Sequence, residues 1–264
     1  MVCPCRSFWS GSNLIFLVIA LITAFLAYWQ FHRGSGAQAA AAPSKVIFAF
    51  LGAPGSGKGT LAKLCVDQLG FKQLSTGDLC RDNISKGTEL GKKLQEYTSK
   101  GALVPDEIIS SMVHEWLSEN TRDEKTIILD GFPRTAGQAA LLLDLIKNHF
   151  PQYTLRILAL NISDDAVVER IAGRLMCSSK ECGAIYNTKQ FVEGIDNPLC
   201  KRCSSPLIKR EDDREEVVRE RLKVYAQTSK ALTDFFKNAG IKIEEINVEG
   251  KESDQVFDAF KKMI

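Results

Sequence analysis

Nine consecutive residues, Gly52-Ala53-Pro54-Gly55-Ser56-Gly57-Lys58-Gly59-Thr60, are built for holding phosphate. Three glycines ahead of Lys58 let the backbone bend so that successive N–H groups, those of Gly55, Ser56, Gly57, Lys58, Gly59 and Thr60, converge on phosphate oxygens. A helix beginning there adds a favourable dipole, and Lys58 brings a cation to the terminal phosphates. The flanks have the required form: an apolar run at 46–51 reads as a buried strand, and Leu61, Ala62, Leu64, Cys65 and Leu69 have helical spacing up to Gly70. A tight strand-to-helix turn without ligand is the alternative. One detail departs from the general pattern, since the hydroxyl expected directly after the lysine is replaced by Gly59 and follows one step later as Thr60.

Arginines are the next chemical signal. Arg81 follows Leu74-Ser75-Thr76-Gly77-Asp78, and Arg134 closes Asp130-Gly131-Phe132-Pro133-Arg134. Arg170 and Arg174 stand four residues apart, and Arg210 and Arg221 flank Asp212-Asp213. Planar bidentate donors suit a phosphoryl group in transfer. Four-residue spacing would put Arg170 and Arg174 on one helix face, where both could reach one phosphate. Surface pairing with nearby glutamates is the alternative for any one of them. Asp130 ends a predicted strand, where a carboxylate holds magnesium directly or through water; its other role would be a turn before Gly131. Cys177 and Cys182, then Cys200 and Cys203, form two pairs with spacers of four and two residues, within the range of tetrahedral structural zinc sites. Four free thiols or two disulfides are the alternatives.

These groups need a scaffold, and the chain can supply one. Its 264 residues are 45% hydrophobic, enough for one sizeable domain with insertions, and 34 basic against 32 acidic residues argue against a protein that coats nucleic acid. Apolar runs at 46–51, 71–74, 126–130, 154–162 and 241–248 alternate with helix-like segments, which predicts a parallel sheet with right-handed crossovers. Pro105 with Asp106 and Glu107 suits a first helical turn, Thr135 and Ser163 suit N-caps, and Gly70, Gly101 and Gly240 suit helix stops. The run 212–238 reads as one long helix or two. Segments 75–104 and 175–209 interrupt the alternation and leave from the strand ends where open parallel sheets bind ligands, so both are candidate lids.

Residues 1–44 differ from the rest. Sixteen uncharged residues at 14–29, extended to Phe31, approach the minimum length for a membrane span, with Trp9, Tyr28 and Trp29 suited to the interfaces. A Gly/Ala-rich linker follows at 34–43. A cleaved signal peptide is the alternative, since Ala37-Gln38-Ala39 has a small-residue cleavage pattern. His32, Arg33 and Lys45 after the run, against Arg6 before it, favour a cytoplasmic C-terminal side.

From residue 45 to the C-terminus, about five-sixths of the chain, the sequence resembles the adenylate kinases in their long-lid form. The phosphate loop at 52–60, including Gly59, is that family's variant; Leu74 to Asp78, the DGFPR element at 130–134 and Arg210-Glu211-Asp212-Asp213 follow in the family's order. The resemblance implies an α/β fold: a P-loop NTPase-type five-stranded parallel sheet flanked by helices, with a core of 45–74, 105–173 and 212–264, a nucleoside-monophosphate-binding insertion at 75–104 and a lid at 174–211. It implies the reaction MgATP plus AMP giving two ADP. Lys58 would lie on the β/γ-phosphates of ATP, with Arg170 and Tyr186 also on the ATP side. Thr76, Arg81, Ala102, Leu103, Val104, Gly131, Arg134 and Gln138 would hold AMP, with Arg210 and Arg221. Arg170, Arg174, Arg210 and Arg221 would close over the transferring group, Asp130 would hold Mg2+ through water, and Asp212 and Asp213 would pair with arginines on closure. Zinc in the lid is common in the family, although its first cysteine pair is usually spaced by two residues and here by four. The chain is expected to act as a monomer without nucleic acid. A UMP/CMP kinase is a rival, but its base-binding segment resembles Ser-Ala-Gly-Asp and its lid is short. A tethered nucleotide sensor without turnover is another, against which stand the retained lysine and lid arginines.

Overall fold

The computed structural model describes residues 45–121, 124–179, 181–191 and 198–264. The predicted membrane segment at 14–31, the linker at 34–43 and the cleavage pattern at 37–39 lie outside the described residues. Among the described residues no helix is long and apolar enough to cross a membrane.

Alternation along β1 (Lys45–Gly52) explains the layering. Phe48 and Phe50 point to one side, packing against Leu61, Cys65 and Phe260, while Ile47, Ala49 and Leu51 point to the other. Both faces being buried, the strand carries no polar residue between Val46 and Leu51, as a central parallel strand should. The chain continues through α1 (Lys58–Leu69), β2 (Lys72–Ser75), α2 (Thr76–Ser85), α3 (Glu89–Thr98), α4 (Asp106–Asn120), β3 (Thr126–Asp130), α5 (Ala136–His149), β4 (Tyr153–Asn161) and α6 (Asp164–Ala172). Then come β5 (Arg174–Cys177), β6 (Ile185–Asn187), β7 (Leu207–Ile208), α7 (Glu215–Asn238), β8 (Ile243–Asn247) and α8 (Ser253–Lys261). The five-stranded sheet has the order β2-β3-β1-β4-β8 with every pairing parallel, so the predicted strands all form, with ends displaced by up to two residues. Register sets Phe50 of β1 beside Asp130 of β3, and Asp130 beside Ser75 of β2, so three strand ends meet at one edge.

Helices α1 and α8 cover one face of the sheet; α4, α5 and α7 contribute to the cores on the other. Punctuation follows the expectation at most ends. Asp106 and Glu107 fill the first turn of α4, Thr135 Oγ1 accepts the Gln138 amide N–H as the α5 cap, and Gly70 stops α1 in the left-handed conformation. Ser163 takes the N-cap position of α6 as expected, but without a side-chain cap hydrogen bond; its hydroxyl donates to Glu249 at 2.7 Å. The run 212–238 is a single-turn 3₁₀ segment, Glu211–Asp213, followed by one helix, α7.

Insertion 75–104 is a helical pair in which α3 crosses α2 so closely that a Cβ on Gly91 would lie 2.2 Å from the Asn83 carbonyl oxygen. The second insertion forms an antiparallel three-stranded sheet, β6-β5-β7, over a small cluster of Leu175, Cys177, Ala184, Cys200 and Leu207. Such short strands bury little apolar area and depend on additional cross-links for order.

Candidate active site

Gly52 leaves β1 with φ of 142°, and a Cβ there would meet the Leu160 carbonyl at 2.6 Å. Only glycine fits so tight a turn against β4. Gly57, at φ of 96°, caps α1 without a side-chain bond, leaving the first-turn N–H groups directed at the loop. Lys58 Nζ curls back to the carbonyls of Gly52 and Ala53, both at 2.8 Å, and to Ser56 Oγ at 3.3 Å. Burial, reinforced by repulsion from Arg134, Arg221 and Arg174, draws its ammonium down to about 8 against the opposing pull of Asp130.

Asp130 explains the departure at position 59. A Cβ on Gly59 would stand 3.1 Å from Asp130 Oδ2, tighter than ordinary contact, so the carboxylate and the second residue of α1 share one space. Burial raises the Asp130 carboxyl, with Lys58 and Arg134 opposing. Gln73 Nε2 reaches its Oδ2 at 3.5 Å, a long bond that leaves most of the oxygen lone pairs facing the cleft.

The cleft encloses about 1270 Å³ and is lined by the phosphate loop, Asp130, Gly131, Arg134, Arg81, Leu103, Arg170, Arg174, Tyr186, Arg210 and Arg221. Six arginines therefore meet one cavity from six separate places in the sequence. Acidic groups hold several of them: Arg81 on Asp78 at 2.6 Å and Asp212 at 3.6 Å, Arg221 on Asp212 at 3.1 Å, and Arg174 Nε on Asp213 at 2.7 Å. Arg134 Nε donates to the Gly131 carbonyl at 2.7 Å. Burial lowers Arg221 and Arg210 to about 10, an expense in desolvation that an incoming polyanion would offset. Asp212 is held below its usual range by Arg221 and Arg81 although its burial opposes this.

Arg170 and Arg174 do not share a helix face. α6 ends at Ala172 with Gly173 as its cap, and Arg174 is the first residue of β5. Arg170 instead donates to the carbonyl of Val248 at 2.7 Å, bracing the turn before α8. Four more expected residues stand back from the cleft lining. Thr76 is 2% exposed and donates to the Asp130 carbonyl; Gln138 is 2% exposed with both ends of its amide engaged; Val104 is buried; Ala102 faces outward. Tyr186 lines the cleft, yet its hydroxyl lies 3.4 Å from Cys200 Sγ. Several lining residues escaped sequence reasoning. Gln73 gave no spacing signal, Asp78 was marked only as the end of the 74–78 motif without a role of its own, and the turn at 248–253 was marked only by Gly250.

The four lid cysteines converge. Their sulfur atoms all lie within 4.8 Å of one another, with Cys177 and Cys203 at 3.3 Å and Cys182 and Cys200 at 3.6 Å. These separations are far from a disulfide bond and near the sulfur–sulfur spacing of about 3.8 Å that four bonds of about 2.3 Å to a tetrahedral zinc require. The longer first spacer therefore does not prevent convergence. Lid and core also touch through Arg202 on Asp67 at 3.0 Å and through Lys189 on Glu169.

A parallel sheet with a glycine-lysine phosphate loop at its central strand, and arginines converging from two insertions, defines a phosphotransferase of the P-loop class. Comparison with known proteins narrows this. The family described as Adenylate kinase matches residues 50–241. Adenylate kinase of Archaeoglobus fulgidus is 43% identical over 192 residues, 73% of this chain and 86% of the relative. That of Methanosarcina barkeri is 40% identical over 217 residues, 81% and 95%, and that of Chlamydia trachomatis 38% over 205 residues, 73% and 80%. The chain belongs to the adenylate kinase family, and is thus a nucleoside-monophosphate kinase.

Proposed function

We propose that the protein catalyses ATP + AMP ⇌ 2 ADP, with ATP phosphates in the loop at 55–60 and AMP against Arg81, Gly131, Arg134 and the 102–104 backbone. The observation that carries this is the meeting of Lys58, Arg81, Arg134, Arg174, Arg210 and Arg221 on one cleft beside Asp130. An AMP phosphate oxygen attacks the γ-phosphorus. Its second pKa near 6 leaves it deprotonated at neutral pH, so no general base is required. Catalysis then consists of alignment and neutralisation by Lys58 and the arginines. Water is the competing nucleophile, and closure of both insertions excludes it while assembling the arginines. Mg2+ arrives with ATP, and Asp130 would hold it through water; its oxygen lone pairs facing the cleft fit that task. The assay is ADP formation with AMP, UMP and CMP as acceptors. AMP should be preferred; preference for UMP would overturn the substrate, and no turnover with any acceptor would overturn the activity.

The four cysteines would hold structural zinc, with no open position for catalysis. The convergence of their sulfurs supports this. Metal analysis should find about one zinc per chain, and less than about half with an ordered lid would count against it. Residues 14–31 would tether a monomeric catalytic part on the cytoplasmic side, where ATP and AMP are plentiful and thiols persist. Full-length protein in the membrane pellet, cleaved by protease only in opened cells, is the expected result; a shortened form outside the cytoplasm would refute it.

A further inference from the structure

Asp106 belongs to no motif, yet it sits at the junction of three elements. It is the first residue of α4, directly after the exit from insertion 75–104. Its two carboxylate oxygens are divided between different groups of the α5 N-terminus: Oδ1 accepts from Gln138 Nε2 at 2.9 Å, and Oδ2 accepts from Thr135 Oγ1 at 2.8 Å. The chain of bonds then reaches the arginine turn. Gln138 Oε1 accepts the backbone N–H of Arg134 at 2.7 Å, and Thr135 Oγ1 accepts that of Gln138 at 3.0 Å. A carboxylate can only accept, so it forces the amide nitrogen of Gln138 towards itself and the amide oxygen towards Arg134. Space has been kept for it: a Cβ on Gly137 would lie 2.6 Å from Asp106 Oδ2, inside any tolerable contact, whereas its next neighbour, Thr135 Oγ1, is 3.7 Å away.

We propose that Asp106 is a positioning residue for the monophosphate half of the site. It clamps the exit of insertion 75–104 to the turn bearing Arg134, and it fixes the orientation of the Gln138 amide. Loss of the carboxylate therefore loosens acceptor binding without touching the phosphate loop. The inference rests on the assignment of Arg134 to the AMP side made above.

The test is steady-state kinetics on Asp106→Asn, Gly137→Ala and Arg134→Ala, each first checked for native circular dichroism. For Asp106→Asn, KM for AMP should rise roughly tenfold, the scale of one charged hydrogen bond, with KM for ATP within about twofold of wild type. Gly137→Ala, which displaces the carboxylate without replacing it, should raise KM for AMP similarly, and the same change in an Asp106→Ala background should have almost no effect. Equal rises in both KM values, or additivity of the two changes, would show a merely structural role and overturn the proposal. An unchanged KM for AMP in Asp106→Asn alone would overturn it while leaving the AMP-side assignment intact; an unchanged value in Arg134→Ala would overturn both.

Discussion

Lys58 should give this enzyme an alkaline limit set by one group. Its ammonium is drawn down to about 8 by burial, with Arg134, Arg221 and Arg174 adding repulsion and Asp130 opposing. The triphosphate of ATP is fully ionised above pH 7.5 or thereabouts, so the ligand contributes little titration there. Free enzyme must carry the proton on Lys58 to neutralise the terminal phosphates, and bound phosphate restores the pKa towards its ordinary value. The sign is therefore fixed: below pH 8 the cation is present and KM for ATP is flat; above it KM climbs towards tenfold per pH unit. At pH 9 the rise is about tenfold, since a group with pKa about 8 is then roughly nine-tenths neutral. The assay is KM for ATP at saturating AMP between pH 7 and 9.5 in constant ionic strength. Lys58→Arg provides the control, because a guanidinium keeps its proton throughout the pH range of the assay. Its KM for ATP should therefore stay flat to pH 9.5, whatever the change costs in kcat. A flat KM through pH 9.5 in the wild type, or an identical limb in Lys58→Arg, would refute the reasoning.

Other expectations follow from the same geometry. Arg134→Lys should lower kcat/KM by roughly 10²-fold, since a point charge cannot both hold the Gly131 carbonyl at 2.7 Å and present a fork to phosphate; unchanged turnover would remove Arg134 from the site. Gly91→Ala should cost about 1–3 kcal/mol in denaturant unfolding or part α2 from α3, because the new methyl meets the Asn83 carbonyl at 2.2 Å; a gain in stability, as helix propensity alone predicts, would show that the pair is not so closely packed. Removal of metal by a strong chelator should make residues 174–211 sensitive to protease while the sheet survives, since that small sheet has only a five-residue buried cluster of its own. A lid equally resistant after zinc release would overturn the structural role.

By itself the sequence determined the phosphate loop, the five parallel strands and the set of arginines, because each is written locally. Strands buried on both faces are continuous apolar runs, and a phosphate cradle needs its glycines and lysine at fixed offsets along one turn. It could also mark the cysteine pairs, whose ligand spacing is local. What needed the tertiary structure was every relation across segments. The four-residue spacing of Arg170 and Arg174 suggested a shared helix face, but whether α6 continued past Ala172 depended on the β5 pairing with β6 and β7, which no local signal carried. Gly59 read as a departure until the strand register brought Asp130 to 3.1 Å from where its Cβ would be. Ser163 takes the N-cap position that its chemistry suggested, but the partner of its hydroxyl is Glu249, 86 residues away, which no local signal could name. Asp106 and Gln138 are 32 residues apart and share a hydrogen bond only because α4 and α5 begin side by side. Side-chain partners are chosen by proximity in space, and proximity is fixed by the order in which β2, β3, β1, β4 and β8 line up, not by neighbours along the chain.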